Sequence, residues 1–137
     1  MKTIVKYGNA YGKLAIIIGI LIAVPMIILP FYPDEIQYIP DFLIPSVVCI
    51  LIGFLLCRFL PVRRARDDFR DSLRIGSFAV LFAWIFGILA GAAPFILAGM
   101  LNPIQSIFEA VSGWTTTGLS VIDVETAPYI FLFHRGF

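Results

Sequence analysis

Long uncharged stretches alternate with short clusters of charge along this chain. Residues 14–32 carry no charge over 19 positions, close to the roughly 20 that a helix needs to cross about 30 Å of hydrocarbon. Pro25 predicts a kink in this first span, and Pro30 and Pro33 predict its end. A second span is predicted over about residues 42–62. Pro45 sits in its first turn, where a missing N–H costs little, and Arg58 lies near its end, where an apolar stem lets the guanidinium reach the interface. The next charge-free stretch begins at Ile75 and lasts until Glu109, too long for one crossing. Gly91-Ala92-Ala93-Pro94 predicts a helix end, so a crossing helix is expected over residues 75–93. Asn102-Pro103-Ile104-Gln105 predicts a fresh start, with an N-cap, a proline at the first helical position and a glutamine at the third.

The helix that starts there, residues 103–112, would be only about 15 Å long at 1.5 Å per residue. That is too short to span, and an apolar helix of this length reads as buried or re-entrant. Gly113 is its expected stop. Ser112-Gly113-Trp114-Thr115-Thr116-Thr117-Gly118-Leu119-Ser120 follows, polar but uncharged. Three threonines suit a helix interior poorly, being stiff at χ1 and prone to bond nearby backbone, so extended backbone is expected, with flanking glycines free to take positive φ. Backbone carbonyls facing one way at membrane depth can replace the water shell of a cation. The negative end of the short helix would point toward the same place. A cation-selective filter is therefore the functional reading of residues 113–120, against an ordinary polar loop between helices.

Composition agrees with a membrane protein: 60% of the 137 residues are hydrophobic and 14% charged. The net charge of +1 hides an asymmetry. Lys2, Lys6, Lys13, Arg58, Arg63, Arg64, Arg66, Arg70 and Arg74 fall on one side of the predicted membrane, and Asp34, Glu35, Asp41, Asp123 and Glu125 on the other. The first side is cytoplasmic by the positive-inside rule, which puts the N-terminus inside and brings the short helix in from outside a cell membrane crossed several times. The basic elbow over residues 63–74 also admits an anionic-lipid or phosphate role, which its interleaved aspartates weaken. The outer acids would either concentrate cations at the mouth or only solvate a loop. Lysines before an apolar run resemble a signal peptide, but the run is too long and lacks a small-residue cleavage site. Cys49 and Cys57, eight residues apart on one helix, lie about 12 Å apart and cannot bond each other.

Three patches carry a family resemblance. Phe108-Glu109-Ala110-Val111-Ser112-Gly113-Trp114-Thr115-Thr116-Thr117-Gly118 resembles the first pore-loop signature of the Trk/Ktr/HKT superfamily of potassium transporters. Gly91-Ala92-Ala93-Pro94-Phe95 resembles that family's Gly-Ala-x-Pro-Phe. Leu132-Phe133-His134-Arg135-Gly136-Phe137 resembles the Leu-Phe-Trp-Arg-x-Phe that opens the helix after the filter. The resemblance implies four helix, pore-loop, helix repeats around a pseudo-fourfold axis, a homodimer, and gating by a cytoplasmic nucleotide-binding ring protein. It makes K+ the transported ion and Gly118 the filter glycine linked to potassium preference. Residues 1–74 would be the extra N-terminal helix pair with its elbow, and residues 75–137 an incomplete first repeat whose last helix opens at 129–137. The expected whole is an all-α membrane protein, a fragment holding one of four filter strands, the others coming from the remaining pore repeats.

Thr115, Thr116, Thr117 and Gly118 are thus the expected filter, supported by Glu109, Ser112 and Gly113. Glu109 is expected to accept hydrogen bonds from backbone N–H groups behind the filter, with direct ion contact as the alternative. Trp84 and Trp114 read as packing or interfacial aromatics. His134 lacks companions for a metal site, and Ser112 lacks a base, so neither a resident cofactor nor an enzyme is expected. Membrane lipid is an expected partner and nucleic acid is not. The competing reading is a small membrane scaffold whose polar loop does not conduct, packed through Gly87, Gly91 and Ala92.

Overall fold

The computed structural model describes the backbone of residues 8–59 and 69–136. Every regular element among them is helical. Helix α1 (Gly8–Ala23) continues into a 3-10 helix, Val24–Phe31, and a second one, Pro33–Tyr38, turns the chain into α2 (Ile39–Phe59). Then follow α3 (Phe69–Leu97), α4 (Pro103–Trp114) and α5 (Tyr129–Gly136). Three stretches are long and apolar enough to cross a membrane: Asn9–Phe31, Pro33–Phe59 and Gly76–Leu97. Large apolar side chains such as Ile17, Ile27, Leu51, Phe54, Val80 and Leu89 stand exposed on them, as lipid-facing helices require. This is an all-α membrane protein.

The first two spans form an antiparallel hairpin packed backbone to backbone. A Cβ added at Gly12 would lie 2.6 Å from the Gly53 carbonyl oxygen, and one at Gly53 would lie 2.6 Å from that of Gly12. One heptad along, Gly19 meets Ser46, whose buried hydroxyl donates to the Gly19 carbonyl at 2.8 Å. Small residues at this spacing let lipid-embedded helices approach closely and bond across. Cys57 sits at the other end of the same seam, its thiol 3.7 Å from the Asn9 carbonyl oxygen. Both cysteines are free.

The structure moves several expected boundaries. The first span ends at Phe31, between Pro30 and Pro33; where a kink is expected at Pro25, the last turns from Val24 form a 3-10 helix, because Pro25 and Pro30 each remove an i→i−4 donor. The α-helix of the second span begins at Ile39 rather than Phe42. Its expected end at Val62, Lys2, Lys6 and residues 63–68 of the basic elbow lie outside the described residues. The predicted stop of the third span at Ala93 is incorrect, since α3 runs through Pro94 to Leu97. The true stop is Gly99, at φ +67°. There the Met100 N–H reaches the Phe95 carbonyl and the Gly99 N–H that of Ile96, the paired bonds of a Schellman cap.

The core lies where α2, α3 and α5 converge. Phe131 is fully buried and packs against Phe42, Phe95 and Tyr38, with ring centroids 5.1 to 5.5 Å apart. His134 joins this cluster through Phe42 and Phe95, and its Nε2–H donates to the Gly91 carbonyl at 2.9 Å. That carbonyl adjoins the one which Pro94, lacking an N–H, leaves without its helical donor.

Candidate functional site: the polar turn after the short helix

Helix α4 starts as its sequence predicts. The Asn102 side chain accepts from the Gln105 N–H at 2.9 Å and the Gln105 side chain accepts from the Asn102 N–H at 3.2 Å, a complete capping box. At twelve residues it measures about 18 Å and cannot span. One face is buried, carrying Ser106, Glu109, Ala110 and Ser112, while Ile104 is 82% exposed.

Its end differs from expectation. Gly113 is helical and does not stop the helix, which continues to Trp114. The left-handed residue is Thr116, at φ +54°, a conformation that strains a β-branched side chain. The Thr116 N–H reaches the Gly113 carbonyl and the Thr117 N–H that of Ser112, again the Schellman pattern. The Thr115 hydroxyl donates back to the Val111 carbonyl at 2.7 Å, the local competition by which threonines terminate a helix. Gly118 then takes φ +75°. Residues 115 and 116 therefore form a turn instead of the extended strand expected, because the helix needs a cap there and the threonines supply it.

Gly113 has another use. A Cβ at this position would lie 3.1 Å from the Arg135 carbonyl oxygen, so its bare backbone lets α5 come close to α4. Trp114 likewise fits against Gly87 of α3, where an added Cβ would collide with the indole. Of the small residues expected to pack helices, Gly87 and Gly91 both face Trp114.

The segment after the turn is tied down from behind. The Ser112 hydroxyl donates to the Leu119 carbonyl. Glu109, only 1% exposed, accepts at Oε1 from the Ser120 hydroxyl at 2.7 Å, from the Val121 N–H, and from the Ile122 N–H at 3.2 Å. Its Oε2 lies 3.0 Å from Arg135 Nε, an ion pair outside hydrogen-bond alignment. Arg135 Nη2 donates to the Gly118 carbonyl at 2.8 Å. One carboxylate and one guanidinium thus hold residues 118–122 against α4 and α5. Among the described residues, the Thr115, Gly118 and Leu119 carbonyls accept hydrogen bonds, whereas those of Thr116 and Thr117 accept none. A cavity of about 260 Å³ opens behind the turn, lined by Ile18, Gly87, Glu109, Trp114, His134 and Arg135 among others. Among the described residues no group of histidine, cysteine or carboxylate side chains could hold a metal ion.

Of the expected site residues, Ser112 bonds Thr117 and Leu119, whereas Glu109 reaches residues 120–122 and not Thr115, Thr116, Thr117 or Gly118. The sequence assigns no site role to Arg135, and it places Ser120 within the filter segment without a supporting role. A signal for Arg135 was present: Glu109 and Arg135 are isolated opposite charges on apolar helices, and such charges seek each other. Glu35, expected either to concentrate cations at the mouth or to solvate a loop, accepts from the Tyr129 N–H at 2.7 Å and the Ile130 N–H at 2.8 Å.

Fold and site define an all-α membrane protein in which a short, non-spanning helix delivers a braced polar turn between longer helices. No family model and no solved structure matches the chain. Among curated proteins, it is 33% identical over 128 residues to an uncharacterized cation transporter, MJ1485, of Methanocaldococcus jannaschii, covering 92% of this chain and 25% of that protein. It is 36% identical over 91 residues to the Trk system potassium uptake protein TrkH of Halomonas elongata, covering 63% and 18%. With the Trk system potassium uptake protein TrkG of Escherichia coli, identity is 30% over 115 residues, covering 82% and 22%. The chain belongs with the Trk-type potassium transporters, and spans a quarter or less of the length of these relatives.

Proposed function

We propose that the chain supplies one of four selectivity-filter strands of a Trk-type potassium uptake system, with the backbone of Thr115, Thr116, Thr117 and Gly118 facing the ion. The observation that carries this reading is the pair of carbonyls at Thr116 and Thr117 that accept no hydrogen bond from the described residues, set between the bonded carbonyls of Thr115 and Gly118. Free carbonyls are what a dehydrated K+ needs in exchange for its water shell, and a rigid support keeps them from collapsing around a smaller ion. Glu109, Ser112 and Arg135 provide that support from behind. A carbonyl oxygen has two lone pairs, so the Arg135 bond leaves Gly118 able to accept from a second direction. The Glu109 carboxylate offsets the guanidinium, which alone would repel a cation from the turn.

In the same reading the other strands come from further pore repeats of the full-length protein, and the N-terminus is cytoplasmic with α4 entering from outside. A homodimer partner and a cytoplasmic nucleotide-binding ring protein belong to this proposal through the family resemblance. The test is Gly118→Ser in the full-length protein. A Cβ at Gly118 meets nothing within 4 Å, so Gly118→Ala serves as a control for the backbone strain at positive φ. Gly118→Ser is expected to lower potassium over sodium discrimination in a flux assay more than Gly118→Ala does. Unchanged relative permeability in Gly118→Ser would sink the filter assignment.

A further inference from the structure

The N-terminal hairpin reaches the polar turn through one short helix, and a single carboxylate makes the connection. Helix α5 begins with N–H groups that have no partner within the helix. The Pro128 carbonyl accepts from the Phe131 and Leu132 N–H groups. The two remaining donors, on Tyr129 and Ile130, both go to Glu35, one to each carboxylate oxygen. Glu35 sits in the 3-10 turn between the first two spans, more than ninety residues away in sequence. A carboxylate at the positive end of a helix, accepting two backbone N–H bonds, is the favourable electrostatic arrangement. Tyr32 from the same turn stacks on Tyr129 with ring centroids 4.4 Å apart, and Tyr38 meets Phe131 edge-on at 5.2 Å.

The far end of α5 is the part that holds the turn. Arg135 lies six residues along, about 9 Å at helical rise, and there it grips Glu109 and the Gly118 carbonyl. A helix of eight residues this tightly packed moves as a unit. Displacing its first turn therefore displaces Arg135, and with it the support behind residues 118–122.

We propose that Glu35 is a positioning residue for the filter: by capping α5 it fixes Arg135 against Gly118 and Glu109, making the hairpin a structural part of the ion site. The proposal rests on the filter reading for its effect on selectivity, but its mechanical core can be tested separately. The variants are Glu35→Gln, which keeps one acceptor oxygen, and Glu35→Ala, which keeps none. Asp34→Ala removes the same charge from the same turn and is the control for surface electrostatics. In the full-length protein, hydrogen–deuterium exchange in Glu35→Gln should quicken at residues 129–130 and also at residues 118–122, with Asp34→Ala matching the unaltered protein at both. Faster exchange at 129–130 with none at 118–122 would overturn the proposal, whatever the transport data show. In flux assays the K+ to Na+ permeability ratio should fall in Glu35→Ala, and less in Glu35→Gln. A ratio unchanged in both, with uptake falling only as membrane abundance falls, would reduce Glu35 to a folding anchor and refute the positioning role. If Glu35→Ala fails to accumulate, the Glu35→Gln ratio decides by the same criterion. Gly118→Ser measured alongside separates the two claims, because a flat ratio there removes the filter reading while the exchange data still judge the mechanical link.

Discussion

Replacing Glu109 by glutamine should remove the charge that balances Arg135 while keeping an oxygen for Ser120, Val121 and Ile122. The Glu109 side chain is fully buried and Arg135 keeps 18% of its side-chain surface exposed. Breaking a buried pair by neutralising one partner costs about 3 to 5 kcal/mol; the partial exposure of Arg135 puts Glu109→Gln near the lower figure, about 3 kcal/mol. Arg135→Gln should cost at least as much. It strands a buried carboxylate and also gives up a charge-assisted bond to the Gly118 carbonyl, worth about 1.5 to 3 kcal/mol. The double variant replaces an ion pair with two neutral amides, so part of both losses returns. A double-mutant cycle on the purified full-length protein, read by reversible unfolding in detergent, should therefore give a coupling energy of about 2 kcal/mol. Potassium uptake measured on the same four proteins should show the double variant outperforming Glu109→Gln, since it leaves no unbalanced guanidinium behind the turn. A coupling energy below about 0.5 kcal/mol, the limit expected of independent sites, would show that the pair does not act as a unit, and the account of how the turn is braced would fall with it.

Other substitutions test the packing that holds the site in place. Gly53→Ala should destabilise the hairpin by about 1 to 3 kcal/mol, because its Cβ meets the Gly12 carbonyl oxygen and the Ile16 backbone nitrogen, which cannot step aside; Gly76→Ala, with nothing within 4 Å, should be neutral or mildly stabilising in the same thermal unfolding assay. Gly87→Ala should cost a similar amount by colliding with Trp114, and Trp114→Ala in the same chain should restore part of the loss; no restoration would mean that the collision is not the cause.

How much of this was legible beforehand differs from element to element. The first two spans follow from hydrophobic length and the third from length together with the glycine, proline and capping signals after it; the start of α4 was readable to the residue because Asn102, Pro103 and Gln105 specify a cap through local bonds. Helix ends were less legible. Gly91-Ala92-Ala93-Pro94 looked like a stop, yet α3 absorbs Pro94 and ends at Gly99, where a positive φ is needed. Gly113 looked like a stop for α4, yet its role is steric, and the left-handed position falls to Thr116 against that residue's own preference. The difference is physical: a capping box is written in adjacent residues, whereas the choice among possible stops depends on what packs against the helix from elsewhere. The site shows the same division. Residues 112–120 were recognisable as one polar stretch, but the supports, Arg135 and Glu35, come from 17 and 94 positions away in the bonds they make. Contacts of that range leave no periodic trace in a single chain. The charge asymmetry behind the proposed inside and outside lies in the order of charges along the chain, and part of it falls outside the described residues.

The most direct test of the central claim is to locate the ion. Diffraction from the full-length protein soaked with Rb+ or Tl+, collected at the anomalous edge, would show where a potassium mimic rests. An anomalous peak is expected against the carbonyl oxygens of Thr116 and Thr117, with Glu109 outside the coordination sphere and still bonded to residues 120–122. A peak coordinated by the Glu109 carboxylate, or an ion path that bypasses residues 115–118, would contradict it.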